Sequence, residues 1–330
     1  MLEGHKNHSF SQVCYNWQDL CSYTAIRYSS VIKGKHFLQQ QELDPNLHWL
    51  ANYQAQLVYL DEKTRLGKTT HFGPLRVQRP FYPEGNECAH LYLLHPPGGL
   101  VAGDYLTIGL HLHPHAQALM TTPSAGKIYN NITERKQFQK VSLIIEDSAV
   151  LEWMPQETLV FDGAEGELIT EVELSDSAQF MGWDIVCLGR PSSEDWFERG
   201  SIRQVLSIQR NGLPLFIERN TICADGDIMQ DKAGLAKQAV FGSFILTNEA
   251  GQIPELDEEQ RESLEALAAI TEESGQAKGL VAVTHKPGLV IVRYLGPCAD
   301  NAKKVFIKYW QWMRPFVNGR EACAPRIWNT

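Results

Sequence analysis

Ile108-Gly109-Leu110-His111-Leu112-His113-Pro114-His115-Ala116-Gln117-Ala118, Val141-Ser142-Leu143-Ile144-Ile145-Glu146-Asp147-Ser148-Ala149-Val150-Leu151 and Thr170-Glu171-Val172-Glu173-Leu174-Ser175-Asp176-Ser177-Ala178-Gln179-Phe180 follow one pattern. Alternate positions are mostly apolar, a short polar turn follows, then an Ala, then a second strand-like piece. Ile108, Leu110 and Leu112 stand eight, six and four residues before the Ala. Val141, Leu143 and Ile145, then Thr170, Val172 and Leu174, repeat those places. Alternation with period 2 marks a strand with one face buried. Recurrence of the unit suggests strand–turn–strand rungs stacked on one another. An all-β chain of another topology also produces such coincidences, so alternation alone leaves both readings open.

Working outward, residues 49–59 also alternate: Trp49, Tyr53, Leu57 and Tyr59 share one parity, and Asn52, Gln54 and Gln56 the other. Helical spacing comes late. Leu264, Leu267 and Ile270 predict a helix over 255–271, with Pro254 and acidic residues at its start. Ala302, Val305, Phe306, Tyr309, Trp312, Met313 and Phe316 predict another over 299–316, with Asp300 as N-cap. The expected fold is mostly β: a stacked-strand, β-helix-like single domain over 46–330, with two α-helices in the C-terminal half. Residues 1–45 have polar runs and no sustained period, and are read as an N-terminal extension.

The 330 residues carry a net charge of −9. That argues against a general nucleic-acid binder, but not against a small cation or a basic partner surface. No apolar run reaches the ~20 residues of a membrane helix, and no signal-peptide core is visible. Seven cysteines without a CxxC point to reduced thiols and a cytoplasmic location.

Signatures of catalysis are mostly missing. Gly126-Lys127 would end a phosphate loop only with Gly at 121 and Ser or Thr at 128, which are Thr121 and Ile128. There is no GxGxxG, GxSxG or HExxH. His111, His113 and His115 alternate and could project from one face of a strand as imidazole ligands, or form a plain polar face ended by Pro114. His95-Pro96-Pro97-Gly98-Gly99-Leu100-Val101-Ala102-Gly103-Asp104 is a shaped loop that delivers a carboxylate to a strand start. Asp184 and Glu218 sit in apolar runs. Such acids must be paired, hydrated or functional, because an unpaired buried charge is costly. Arg219 lies on the opposite strand face from Glu218. Tyr309, Trp310, Trp312 and Phe316 exceed one core-facing stripe, so Tyr309 and Trp310 are candidates for partner contact as well as for core.

The run Gly73-Pro74-Leu75-Arg76-Val77-Gln78-Arg79-Pro80-Phe81-Tyr82-Pro83-Glu84 and Leu91-Tyr92-Leu93-Leu94-His95-Pro96-Pro97-Gly98-Gly99 resemble motifs of one known family. Leu151-Glu152-Trp153-Met154-Pro155-Gln156-Glu157, Cys187-Leu188-Gly189-Arg190-Pro191 and Pro325-Arg326-Ile327-Trp328 follow in the same order. From about Trp49 onward the chain resembles the urease accessory proteins UreD, called UreH in some organisms. The resemblance implies a β-helix-like stack with two helices. It also implies a non-enzymatic, cytoplasmic assembly factor with no tightly bound cofactor, which handles nickel transiently. The implied partners are UreF, the GTPase UreG and the urease structural subunits, and the implied accessory complex admits a homodimer. In the family, polar residues are thought to line a nickel route. Motif by motif these are Asp104, Asp184 and Glu218. The family pattern Gly-Ala-Ser-Lys-Phe-Tyr here reads Ser124-Ala125-Gly126-Lys127-Ile128-Tyr129, so the serine's role is not carried over to Gly126. Two other readings remain: a β-helix hydrolase using paired carboxylates, which needs an open groove, and an adaptor whose acids do no chemistry.

Overall fold

The computed structural model describes residues 48–247, 253–269 and 279–329; the extension assigned to 1–45 lies outside them. Two sheets face each other. One runs in the order β14 (Leu213–Cys223), β13 (Gly200–Arg210), β11 (Ala164–Leu174), β8 (Gln137–Ile145), β5 (Asp104–Leu112), β1 (Trp49–Leu60), β2 (Lys63–Phe72). The other runs β16 (Leu280–Lys286), β17 (Leu289–Gly296), β15 (Val240–Thr247), β12 (Gln179–Leu188), β9 (Val150–Trp153), β6 (Gln117–Thr121), β4 (Cys88–Leu94), β3 (Arg76–Val77). Short strands β7 (Gly126–Ile128) and β10 (Thr158–Val160) pair beside β12.

The three repeated segments are successive rungs. Leu112, Ile145 and Leu174 are neighbours across the parallel strands β5, β8 and β11. Ala118, Leu151 and Phe180 are neighbours across β6, β9 and β12 in the opposite sheet. Ala116, Ala149 and Ala178 are buried at the corners where the chain passes from one sheet to the other. Backbone bonds join corner to corner, as from Val150 N to the Ala116 carbonyl at 3.0 Å. The result is a β-solenoid-like stack of about four turns. Parity drives it. Every second residue enters the space between the sheets, where Leu57, Leu110, Leu143, Val172 and Ile208 form a continuous core. Burying each such side chain is worth about 1.5–3 kcal/mol.

The stack ends in antiparallel strands: β13 turns back into β14, and β15 and β17 continue the second sheet beyond β12. Two helices, α1 (Glu258–Ala268) and α2 (Ala299–Asn318), complete the chain. The α1 cap is Asp257, which accepts from Gln260 N at 2.8 Å, so the helix starts after Pro254 and not at it. Cys298 is the N-cap of α2. Asp300 stands inside the first turn, 2.6 Å from Lys304 Nζ, rather than capping. Neither helix is long and apolar enough to cross a membrane. The five cysteines among the described residues are free thiols.

Side chains of α2 pack on the outer face of the second sheet, forming a second core with Trp183, Phe244 and Val292. Tyr309 meets Phe244 edge-on at 5.7 Å, and Trp310 meets Trp328 edge-on at 5.8 Å. Both Tyr309 and Trp310 are fully buried, so neither offers surface to a partner. The expectation of partner contact at these two residues is therefore corrected. The extra aromatics of α2 serve a helix sandwiched between sheet and C-terminal segment. Phe316, 52% exposed, is the aromatic of this helix that faces out.

A buried guanidinium ties this helix to the first rungs. Arg314, 0% exposed, donates from Nε to Glu152 at 2.8 Å and from Nη2 to Glu84 at 2.8 Å. Asn318 donates to the same Glu152 oxygen at 3.0 Å, and His90 Nε2 lies 2.6 Å from Glu84. Burial works against ionised Glu84, but hydrogen bonds and charge from His90 and Arg314 outweigh it and hold its pKa down to about 2. Glu152 is enclosed more deeply, and burial pushes its pKa up despite Arg314. Removing the cation strands two buried carboxylates. Arg314→Ala should cost about 3–5 kcal/mol in urea denaturation. Trp310→Ala should cost a similar ~3–5 kcal/mol through the cavity it leaves. Midpoints close to wild type would show that neither side chain holds the helix in place.

Candidate functional site

Strand parity also decides where the predicted acids point. On β12, Phe180, Val186 and Leu188 face the inter-sheet core, while Met181, Trp183, Ile185 and Cys187 face α2. Asp184 shares the parity of the first set and so points inward. On β14, Phe216 and Ile222 face inward, and Glu218 and Asn220 share their parity. The same holds for Gln204 between Ile202 and Leu206 on β13, for Ser243 beside Ile245 on β15, and for Arg293 beside Ile291 on β17. Cross-strand pairing aligns Asp184 with Ser243 and Ser243 with Arg293 in one sheet. It aligns Gln204 with Asn220 in the other. Six inward polar side chains thus form a layer where the solenoid gives way to its antiparallel end.

Their bonds make two adjacent groups, one around Asp184 and one around Glu218, which act on each other through charge. Gln204 Nε2 donates to Asp184 Oδ2 at 2.7 Å, and Asn220 Nδ2 donates to Gln204 Oε1 at 3.0 Å. Ser243 Oγ donates to Glu218 Oε2 at 3.0 Å, and Arg293 Nη2 lies 3.3 Å from Glu218 Oε1. Arg219, next in sequence, is on the other face. The cation for Glu218 comes from a strand 75 residues away. Among the described residues, Asp184 has no ion-pair partner. Burial raises its pKa above the ordinary carboxylate value, the charge of Glu218 adds to the rise, and the Gln204 bond opposes it.

Asp184 keeps some surface because it lines a cavity of about 110 Å³ between the sheets. Gln139 and Thr170, inward residues of β8 and β11, share the wall, as do His95, Gly126 and Lys127. That volume has room for several waters. Gly126 lines the same space, and an added Cβ there would meet Thr158 Oγ1 at an ordinary 3.4 Å.

Asp104 is placed differently. Gly98 and Gly103 take φ of 78° and 87°, which favour glycine, and Gly99 passes so close to Tyr129 that a Cβ would lie 2.5 Å from its ring. The loop so shaped turns Asp104 back on itself: its carboxylate accepts from Val101 N at 2.8 Å. Burial raises its pKa and the Val101 amide tempers the rise. Asp104 shares the inward parity of Leu106, which lines the cavity, but is not itself in the wall. The structure brings Asp184 and Glu218 together and leaves Asp104 apart.

His111 and His113 converge on Glu146, while His115 adopts φ of 65° in the turn and lies near Tyr59, at 6.4 Å between rings. The expectation of three alternating ligands is corrected: Pro114 ends the strand before His115 can align. Glu84, Cys88 and His90 also converge, but Arg314 already supplies a cation there. Reasoning from sequence missed Gln204, Asn220, Ser243, Arg293 and Glu146. The first two pairs were visible as polar residues at inward parity. Glu146 was visible as the position one repeat after His113.

A raised pKa means that the folded chain holds the Asp184 proton more tightly than the unfolded chain does. Ionised Asp184 then costs stability above the carboxylate range, and the cost fades as pH falls below it. Asp184→Asn should raise the urea midpoint at pH 7, with the gain shrinking as pH is lowered toward about 4. A lower midpoint at pH 7 would show that the charge stabilises the fold.

Comparison with known proteins agrees with these motifs. The model of the UreD urease accessory protein family matches residues 51–329. The urease accessory protein UreD of Saccharophagus degradans is 45% identical over 287 residues, covering 87% of this chain and 95% of that protein. The UreD of Hahella chejuensis is 40% identical over 311 residues, covering 90% and 97%. The UreD of Psychromonas ingrahamii is 36% identical over 296 residues, covering 87% and 96%. A match over nearly the whole described chain, with both proteins covered almost end to end, makes this chain a member of the UreD family of urease accessory proteins.

Proposed function

We propose that this protein is a non-enzymatic urease maturation factor that passes nickel toward the urease active site. It would do so as a scaffold joining UreF and the GTPase UreG to apo-urease. The observation that carries the reading is Asp184: an inward carboxylate with no cationic partner among the described residues, on the wall of an inter-sheet cavity, within reach of the charge of Glu218 at the sheet edge. Carboxylate, amide and hydroxyl oxygens hold a divalent ion without trapping it, as a closed thiolate or imidazole cage would. The nearby negative charge of Glu218 favours an entering cation, and an ion that displaces the Asp184 proton relieves the cost of burying the charge.

The hydrolase reading fits less well. Glu218 is held by Ser243 and Arg293, Asp184 by Gln204, and a cavity of about 110 Å³ is small beside the roughly 300–1,000 Å³ of ordinary ligand pockets. An adaptor whose acids are inert remains the alternative to exclude. Co-expression with urease and the accessory proteins separates the two. Asp184→Ala and Glu218→Ala should still co-purify with the partners, yet lower the nickel content and activity of the urease at least several-fold. Asp104→Ala should disturb the loop and have the smaller effect on nickel per assembled complex. Full nickel loading with both Asp184 and Glu218 replaced would leave only the adaptor.

A further inference from the structure

We propose that His111, His113 and Glu146 form a solvent-accessible site for a divalent first-row transition ion, on an outer corner of the solenoid and separate from the Asp184 cavity. The geometry comes from two stacked rungs. Residues 113 and 146 hold equivalent places one repeat apart, and Glu146 N donates to the Leu112 carbonyl at 3.0 Å, so the Glu146 turn sits directly on the His113 turn. Two residues apart on an extended strand, side chains are separated by about 6.6 Å along the chain. The rings of His111 and His113 are only 4.2 Å apart, because the chain is already curling into the turn that Pro114 enforces. Glu146 closes the group: Oε1 lies 2.6 Å from His111 Nε2 and Oε2 lies 3.5 Å from His113 Nδ1. One donor atom from each residue falls within a common 4.8 Å.

The chemistry follows from the donor set. Two imidazoles and a carboxylate suit zinc, nickel or copper and are poor for calcium or magnesium, which prefer oxygen. All three side chains are about one third exposed, so an ion reaches them from solvent and water fills the remaining positions. Among the described residues, Glu146 has no lysine or arginine partner. Its charge is therefore available to the ion. None of the three lines the inter-sheet cavity, so the site stands or falls independently of the nickel path.

The test is calorimetric titration of the full chain with Ni²⁺ alone and with Zn²⁺ alone. The chain holds eleven histidines, so the readout is the difference between variants and wild type. Losing even an outer-shell partner typically costs about 10–100-fold in metal affinity. His111→Ala and Glu146→Gln should each weaken one equivalent by at least about ten-fold, while His115→Ala keeps it. Glu146→Gln preserves size and one acceptor oxygen, so it reports on the carboxylate charge more than on the fold, and circular dichroism confirms that both variants are folded. Unchanged stoichiometry and affinity in folded Glu146→Gln, for both ions, would overturn the site. Equal loss with His115→Ala would overturn the assigned geometry.

Discussion

Parallel rungs in register are the constraint on which this molecule depends. Once Leu112, Ile145 and Leu174 lie side by side, the parity of every residue in those strands is set, and a one-residue slip would exchange core for surface throughout. The stack also multiplies whatever one rung presents. Apolar residues make an unbroken core, alanines make narrow corners, and outward donors such as His113 and Glu146 are brought within reach of each other. A charge repeated on successive inward positions would meet itself at about 4.8 Å, the inter-strand spacing. The inward faces of β5, β8 and β11 carry no such row: Asp104 stands alone at the start of β5, and the inward Gln139 and Thr170 are neutral.

Two groups of buried charge escape this rule in different ways. Arg314 enters from α2 and meets Glu84 and Glu152 with hydrogen bonds from a single guanidinium, its charge offset on both sides. That network closes the molecule: residues separated by 162 and 230 positions are pinned together, so the C-terminal helix cannot leave the sheet without stranding carboxylates. The Asp184 group is more open. Its contacts are amide and hydroxyl for the most part, its one cation stands on the Glu218 side, and it borders a cavity instead of packed side chains. Saturated charge makes a lock, and unsaturated charge beside water-sized space leaves a group free to change its partners.

The solenoid was legible because its signal is local: period 2 and a recurring Ala need only a few neighbouring residues, and both helices announced themselves by spacing. Other features depend on residues far apart in the chain. Glu218 was recognisable as an acid in a strand, but Arg293 is assigned to it only once β14 of one sheet is seen to face β15 and β17 of the other. Tyr309 and Trp310 looked like surplus aromatics on a helix with one buried stripe. The helix is buried on more than one side, because Trp328 and the C-terminal segment cover what the sheet does not. His115 fitted the alternation in sequence and fails it in space, since a proline at 114 turns the backbone before the third imidazole.

The position of the polar layer follows from where repetition stops. β12 has a parallel rung, β9, on one side and the antiparallel β15 on the other, and β13 has parallel β11 on one side and antiparallel β14 on the other. At that boundary a strand no longer has to match a copy of itself. Asp184 can face Ser243, and Gln204 can face Asn220, without like charges stacking. Deeper in the stack the inward Asp104 needs its own shaped loop, whose Val101 amide serves its carboxylate, because mid-strand neighbours there are mostly apolar. The first sheet has its edge at the boundary, in β14, so Glu218 and its partner Arg293 retain contact with solvent while Asp184 faces the cavity. The transition from parallel stack to antiparallel end thus lets Asp184 lie inside, on the cavity wall, beside a Glu218 that keeps contact with solvent.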